Sequence, residues 1–135
     1  MGGNMKTNLD KAFKTNKNLE KDGVWFVVEG GPEFLVRRFG GVNATKMQKI
    51  VSELNKPYVR LIESKQLSEE KTAELNTLSF IKCCLIDWKG VEIDGQEAPY
   101  SEELAAELFK ALPDLADRLF EYARDMDNFR EDLGN

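Results

Sequence analysis

Pro113-Asp114-Leu115-Ala116-Asp117-Arg118-Leu119-Phe120-Glu121-Tyr122-Ala123-Arg124-Asp125-Met126-Asp127-Asn128-Phe129 is the stretch that decides the fold. Leu115, Leu119, Tyr122, Met126 and Phe129 recur at spacings of four, three, four and three. With Ala116 and Ala123 they form one apolar face, while Asp114, Asp117, Arg118, Glu121, Arg124 and Asp125 fill the other. This is the pattern of an amphipathic helix that buries one side. Pro113 suits the first turn, where its missing N–H costs nothing.

Working outward, Pro99-Tyr100-Ser101-Glu102-Glu103 announces a preceding helix, with Ser101 as its cap and Leu104, Leu108, Ala111 and Leu112 as its stripe. Asp94-Gly95 marks a turn in the loop before it. Ser68 caps a further helix predicted from Glu69 to about Ile86. Leu75, Leu78, Ile81, Leu85 and Ile86 lie on one arc of it and Phe80 and Cys84 on the other, as expected of a helix inside a bundle. Asn43 is read as the cap of another helix, with Met47, Ile50, Val51 and Leu54 in one stripe. Pro57 either kinks that helix or begins the next, which carries Tyr58, Leu61 and Ile62.

Val24-Trp25-Phe26-Val27-Val28 is β-branched and aromatic, and Glu33 to Phe39 follows a Gly30-Gly31-Pro32 turn. These predict a β-hairpin over 24–39. Residues 1–22 are rich in Asn, Lys and Thr and are expected to form a flexible arm with one helical turn around Leu9 to Phe13. The expectation is therefore a mainly α protein. An arm, 1–22, precedes a single small helical bundle over 23–132 with an N-terminal β-hairpin.

The 135 residues suit one domain, and 41% apolar content suffices for one core. The net charge of −5 is unevenly spread. Residues 1–86 carry 14 Lys/Arg against 10 Asp/Glu, and residues 87–135 carry 5 against 14. The acidic half repels phosphate and the basic residues are scattered, so nucleic acid is not expected as a partner. The acidic half is either a solvated helix surface or a face for a basic partner, and the solvated surface is the commoner case. No apolar run is long enough to span a bilayer, so no membrane association is expected.

The chain has no histidine, the usual general base and commonest metal ligand. Cys83 and Cys84 are adjacent, which strains a disulfide and suits no zinc site, so they are read as buried free thiols. Asp87, Glu92, Asp94 and Glu97 lack the ligand series of a calcium loop. Glu102-Glu103 diverge on a helix and favour its N-terminus rather than acid–base chemistry. Gly30-Gly31 and Gly40-Gly41 are turns, not phosphate cradles. No enzyme, metal or cofactor is expected.

That leaves contact surfaces. Trp88 and Tyr100 bracket the loop and either pin it to the core or anchor a partner, with the core role favoured. Arg37 and Arg38 point to opposite sides of a strand, so one is a surface charge while the other pairs with a carboxylate. Leu115, Leu119, Tyr122 and Met126 can meet a partner helix as regularly spaced anchors. The competing reading, that this stripe closes the protein's own core, is favoured because a domain of this size needs the helix for burial.

Four stretches in order carry a family likeness. They are Gly23 and Trp25 with Phe34-Leu35-Val36-Arg37-Arg38 and Asn43; Lys56-Pro57-Tyr58; Leu85-Ile86-Asp87-Trp88-Lys89-Gly90-Val91; and Gly95 through Pro99-Tyr100-Ser101-Glu102-Glu103 into the final helix. In these the chain resembles the tail assembly chaperones of long-tailed bacteriophages. The resemblance implies a protein of the host cytoplasm, absent from the finished virion and self-associating in multiple copies. It also implies binding to the tape measure protein, which is kept soluble while tail tube protein subunits are recruited. The alternatives are a phage neck or tail-completion structural protein and a small regulatory protein that binds a host protein. The polar segment before Gly23 lies outside the likeness.

Overall fold

The computed structural model describes residues 5–131. Among them, three strands form one antiparallel sheet in the order β1 (Val24–Val27), β2 (Glu33–Val36), β3 (Leu85–Lys89). β1 meets β2 with Phe26 opposite Phe34, and β2 meets β3 with Phe34 opposite Trp88. Because strand side chains alternate, these three rings share one face and Trp25, Leu35 and Asp87 share the other. A register shift between Leu35 and Val36 brings Val36 opposite Leu85, so Val36 and Leu85 are both buried.

The expected mainly α bundle with an N-terminal hairpin is corrected by this sheet. Strands β1 and β2 are not a free-standing hairpin, because a third strand from the middle of the chain completes them, and the architecture is α+β. The predicted helix to Ile86 ends at Cys83 instead. Cys84 leaves helical geometry, and its carbonyl accepts from Arg37 N–H at 2.8 Å, which pulls the chain onto β2. Leu85-Ile86 continues the helical spacing, and a five-residue strand is too short to show its own period. A second small sheet, β4 (Glu92–Ile93) with β5 (Gln96–Glu97), turns at Asp94-Gly95, where both residues have positive φ. The first turn, between β1 and β2, holds Gly30 and Gly31 at φ 98° and 107°, a conformation that side-chain-bearing residues resist.

Helices cover the Phe26–Phe34–Trp88 face. They are α3 (Ala44–Asn55), α5 (Glu69–Cys83), α6 (Glu102–Ala111) and α7 (Pro113–Arg124); α4 (Val59–Glu63) buries no residue, and α1 (Asp10–Phe13) and α2 (Lys17–Asp22) precede them all. Ser68 and Ser101 accept hydrogen bonds from Lys71 N–H and Leu104 N–H, capping α5 and α6. Pro57 lies in a 3-10 turn, Lys56–Tyr58, which links α3 to α4. Leu75, Phe80 and Ile81 from α5, Ala105 and Phe109 from α6, and Ala116, Leu119 and Ala123 from α7 are all buried. Phe80 stands 6.0 Å from Phe109 and 5.6 Å from Phe120, so three helices meet around one ring. α7 stops at Arg124, and Met126–Phe129 is a separate 3-10 turn with Phe129 buried.

In the segment read from sequence as a flexible arm, α1 falls at the helical turn expected around Leu9 to Phe13, and α2 is a second helix, capped by Asn16 through Asn18 N–H and Leu19 N–H. Glu20 is 1% exposed. Its carboxylate pairs with the Arg38 guanidinium and accepts from Thr15 Oγ1 at 3.1 Å. Asn43 does not cap α3. Its side-chain amide donates instead to the carbonyls of Glu20 at 2.8 Å and Arg38 at 2.9 Å, bracketing α2 against the end of β2. Gly41 has φ 54°, and a Cβ there would overlap the Glu20 carboxylate and sit 2.8 Å from Arg38 Nη1. Only glycine lets the chain pass this buried pair.

Leu119→Ala should cost about 2–5 kcal/mol, the usual range for emptying a fully buried leucine site, whereas Val27→Ala should change stability by less than about 0.5 kcal/mol. Chemical denaturation of both variants checks this. Burial pushes the Cys83 and Cys84 thiols up from the usual thiol range, so both favour the protonated form. Neither should react with a thiol reagent at pH 8 in the folded protein, and both should react once it is unfolded.

Candidate protein-interaction surface

The residues singled out from sequence fall into three places. Leu119 is wholly buried, and Leu115, Tyr122 and Met126 are half-buried. Tyr122 lies on Phe26 with ring centres 4.2 Å apart and meets Phe129 at 6.2 Å. The stripe of α7 thus closes against the sheet, and its anchors face inward.

Trp88 is buried, donates from Nε1 to the Ala98 carbonyl at 2.6 Å, and meets Tyr100 edge-on at 5.1 Å. Tyr100 Oη reaches the Leu85 carbonyl at 3.4 Å. The pair pins the loop that carries β4 and β5 to β3. Arg37 donates from Nε to the Lys21 carbonyl at 2.8 Å, and Arg38 pairs with Glu20. Both arginines therefore tie α2 to β2.

Two features of the surface were not legible in sequence. The sheet face away from the helices carries Trp25, Leu35 and Ile86 half-buried and Val27 60% exposed. Lys89 Nζ lies 3.9 Å from the centre of the Trp25 ring and covers part of it. The second feature is a groove of about 420 Å³ between α5 and α6, ended by Pro113. Phe109 is buried at its base, Thr77, Leu78 and Ala106 are half-buried along it, and Ala73, Glu70, Glu74, Glu107 and Lys110 line its exposed rim. Small residues at Ala73 and Ala106 keep the two helices from filling the space between them. The three carboxylates make the rim acidic. Glu74 also pairs with Lys71 at 3.1 Å on the same helix. No signal in either helix alone marks the groove, since its walls are some 30 residues apart in the chain.

Residues 42–133 match the YdaY prophage protein family. The chain belongs to that family, and is a phage-related protein. No curated protein and no solved structure matches it. The YdaY match begins at Val42 and so contains α3 to α7 and β3 to β5, including every residue of the groove. Strands β1 and β2 and the segment with α1 and α2 precede it. Among the described residues, no helix is long and apolar enough to cross a membrane.

The pinned loop gives the protein an alkaline limit. Burial, reinforced by the carboxylates of Glu102, Asp87 and Glu103, pushes the Tyr100 hydroxyl from 10.0 up to about 12. The unfolded chain releases this proton near pH 10, and the folded chain keeps it to about pH 12. Stability from this group is therefore complete below pH 10 and falls as the pH rises from 10 to 12. Urea midpoints across that window should fall less steeply for Tyr100→Phe than for the parent chain.

Proposed function

We propose that this YdaY-family chain is a tail assembly chaperone that binds the tape measure protein, keeps it soluble and helps recruit tail tube subunits. The reading is carried by the groove between α5 and α6. An apolar channel walled by two helices accepts the apolar stripe of a third helix, and an acidic rim favours a partner with basic flanks. A long helical client with exposed apolar stretches presents such stripes repeatedly. Leu119 is wholly buried in the core and faces no client, while Leu115, Tyr122 and Met126 are half-buried beside it.

The acidic C-terminal half supports the same reading. Residues 87–135 carry 14 Asp/Glu against 5 Lys/Arg, so the outer faces of α6 and α7 keep a chaperone–client complex in solution. The protein then acts in the host cytoplasm and leaves before the particle is complete.

Co-expression with the tape measure protein of the same prophage tests the proposal. The client should move to the soluble fraction and co-purify with the parent chain. Ala106→Arg fills the groove with a charged side chain and should lower recovery of soluble client by about tenfold, equivalent to about 1.4 kcal/mol of binding. The thermal midpoint should hardly change, because position 106 is only partly buried. A client that stays insoluble beside the parent chain overturns the proposal. So does abundant protein in purified mature tails.

A further inference from the structure

Three large apolar side chains near the start of the described residues, Met5, Phe13 and Leu9, are 76%, 68% and 58% exposed. They stand at i, i+4 and i+8, so a helix continued through this segment would carry them on one face. The segment is not loose at its second half. Thr7 Oγ1 donates to the Asp10 carboxylate at 2.7 Å and accepts from Leu9 N–H at 3.0 Å, which fixes the start of α1. Downstream, Asn16 N–H donates to the Phe129 carbonyl and Glu131 N–H to the Lys14 carbonyl. The root is thus tied down while Met5, Leu9 and Phe13 remain exposed, and they come onto one face when the helix extends back to Met5. Lys6, Lys11 and Lys17 flank these side chains, all exposed; with Lys14, paired to Glu131, they outnumber the one carboxylate of the segment, Asp10, which accepts from Thr7.

The groove between α5 and α6 is the complement of this stripe. It offers an apolar lining that Ala73 and Ala106 leave unfilled, edged by Glu70, Glu74 and Glu107 against the single cation Lys110. We propose that residues 5–17 of one copy dock in the α5–α6 groove of a second copy, so that chains join head to tail. The inference rests on the groove reading above but requires no client. Charge decides the occupant: a basic apolar stripe meets an acidic apolar channel on the same protein. Arm and groove are different surfaces, so the contact is heterologous. Each copy keeps one free arm and one free groove, and assembly continues instead of stopping at a dimer. Three apolar side chains and a few ion pairs make a contact smaller than a standard interface, whose lower bound is about 1,200 Å², so a dissociation constant on the order of 10–100 µM is expected. The same weakness lets a client helix displace the arm.

Sedimentation of the full chain from about 5 to 500 µM, a range bracketing that constant, should show a mean mass that keeps rising past the dimer. The variant Met5→Ser/Leu9→Ser/Phe13→Ser changes only exposed positions and should stay monomeric. The variant Glu70→Lys/Glu74→Lys/Glu107→Lys should also stay monomeric. Mixing the two, one with an intact groove and the other with an intact arm, should give a heterodimer that grows no further. Adding Lys6→Glu/Lys11→Glu/Lys17→Glu to the groove variant should restore the open series. A parent chain that is monomeric throughout overturns the inference, as does an arm variant that associates like the parent. A chain that stays monomeric but sediments with anionic vesicles through Met5, Leu9 and Phe13 also overturns it, and assigns the stripe to a lipid surface. None of these results bears on capture of the tape measure protein, which Ala106→Arg probes separately.

Discussion

Strand β2 is four residues long and must satisfy both of its edges at once. β1 takes one edge and β3 the other, and Phe34 and Val36 turn the inward face into the floor of the core. Three short strands have too little area to be stable alone, so the helices of the chain must cover that face. The placement of α5, α6 and α7 follows. Each contributes a stripe, and the stripes converge on Phe80 and Leu119 above the sheet. The buried Glu20–Arg38 pair, with Asn43 and Gly41, ties the start of the chain to the end of β2. A buried ion pair of this kind contributes little net stability when intact, but leaves an uncompensated charge when one partner is lost. It fixes where α2 sits more than how stable the domain is.

The groove is a consequence of the same packing. α5 spends Leu75, Phe80 and Ile81 on the core and turns Ala73, Thr77 and Leu78 toward α6. α6 spends Ala105 and Phe109 in the same way, and Ala106 beside them is too small to close the gap. Of the rim carboxylates, Glu70 lies in the first turn of α5, where negative charge favours the helix, and Glu74 and Glu107 lie on exposed faces further along α5 and α6.

How much of this was legible in the sequence depends on the range of the interaction. Ser68 and Ser101 announced their helices because capping is local, and Leu119 lay on a stripe whose period is visible in any window of its length. Leu85–Lys89 was hidden, since its first two residues fit the helix before them and only pairing with β2 makes them a strand. Asn43 looked like a cap for the same reason. Its amide is drawn away by two carbonyls that come close only after α2 docks. Glu20 carries no local sign that it would be buried, and the groove joins residues near 73 with residues near 106. On α7, the pattern identified the helix, but only the size of the domain favoured a core role for its stripe, because an amphipathic stripe looks the same whether it faces a partner or the chain's own core.

The account turns on where a client helix is held. Amide chemical shifts of the isotope-labelled chain, followed while a helical fragment of the tape measure protein is added, report this residue by residue. The account predicts that the largest changes cluster at Ala73, Thr77, Leu78, Ala106 and Phe109, with Leu119 and Ala123 little affected. Changes centred on Trp25, Val27 and Leu35 of the outer sheet face, with the groove silent, would contradict it.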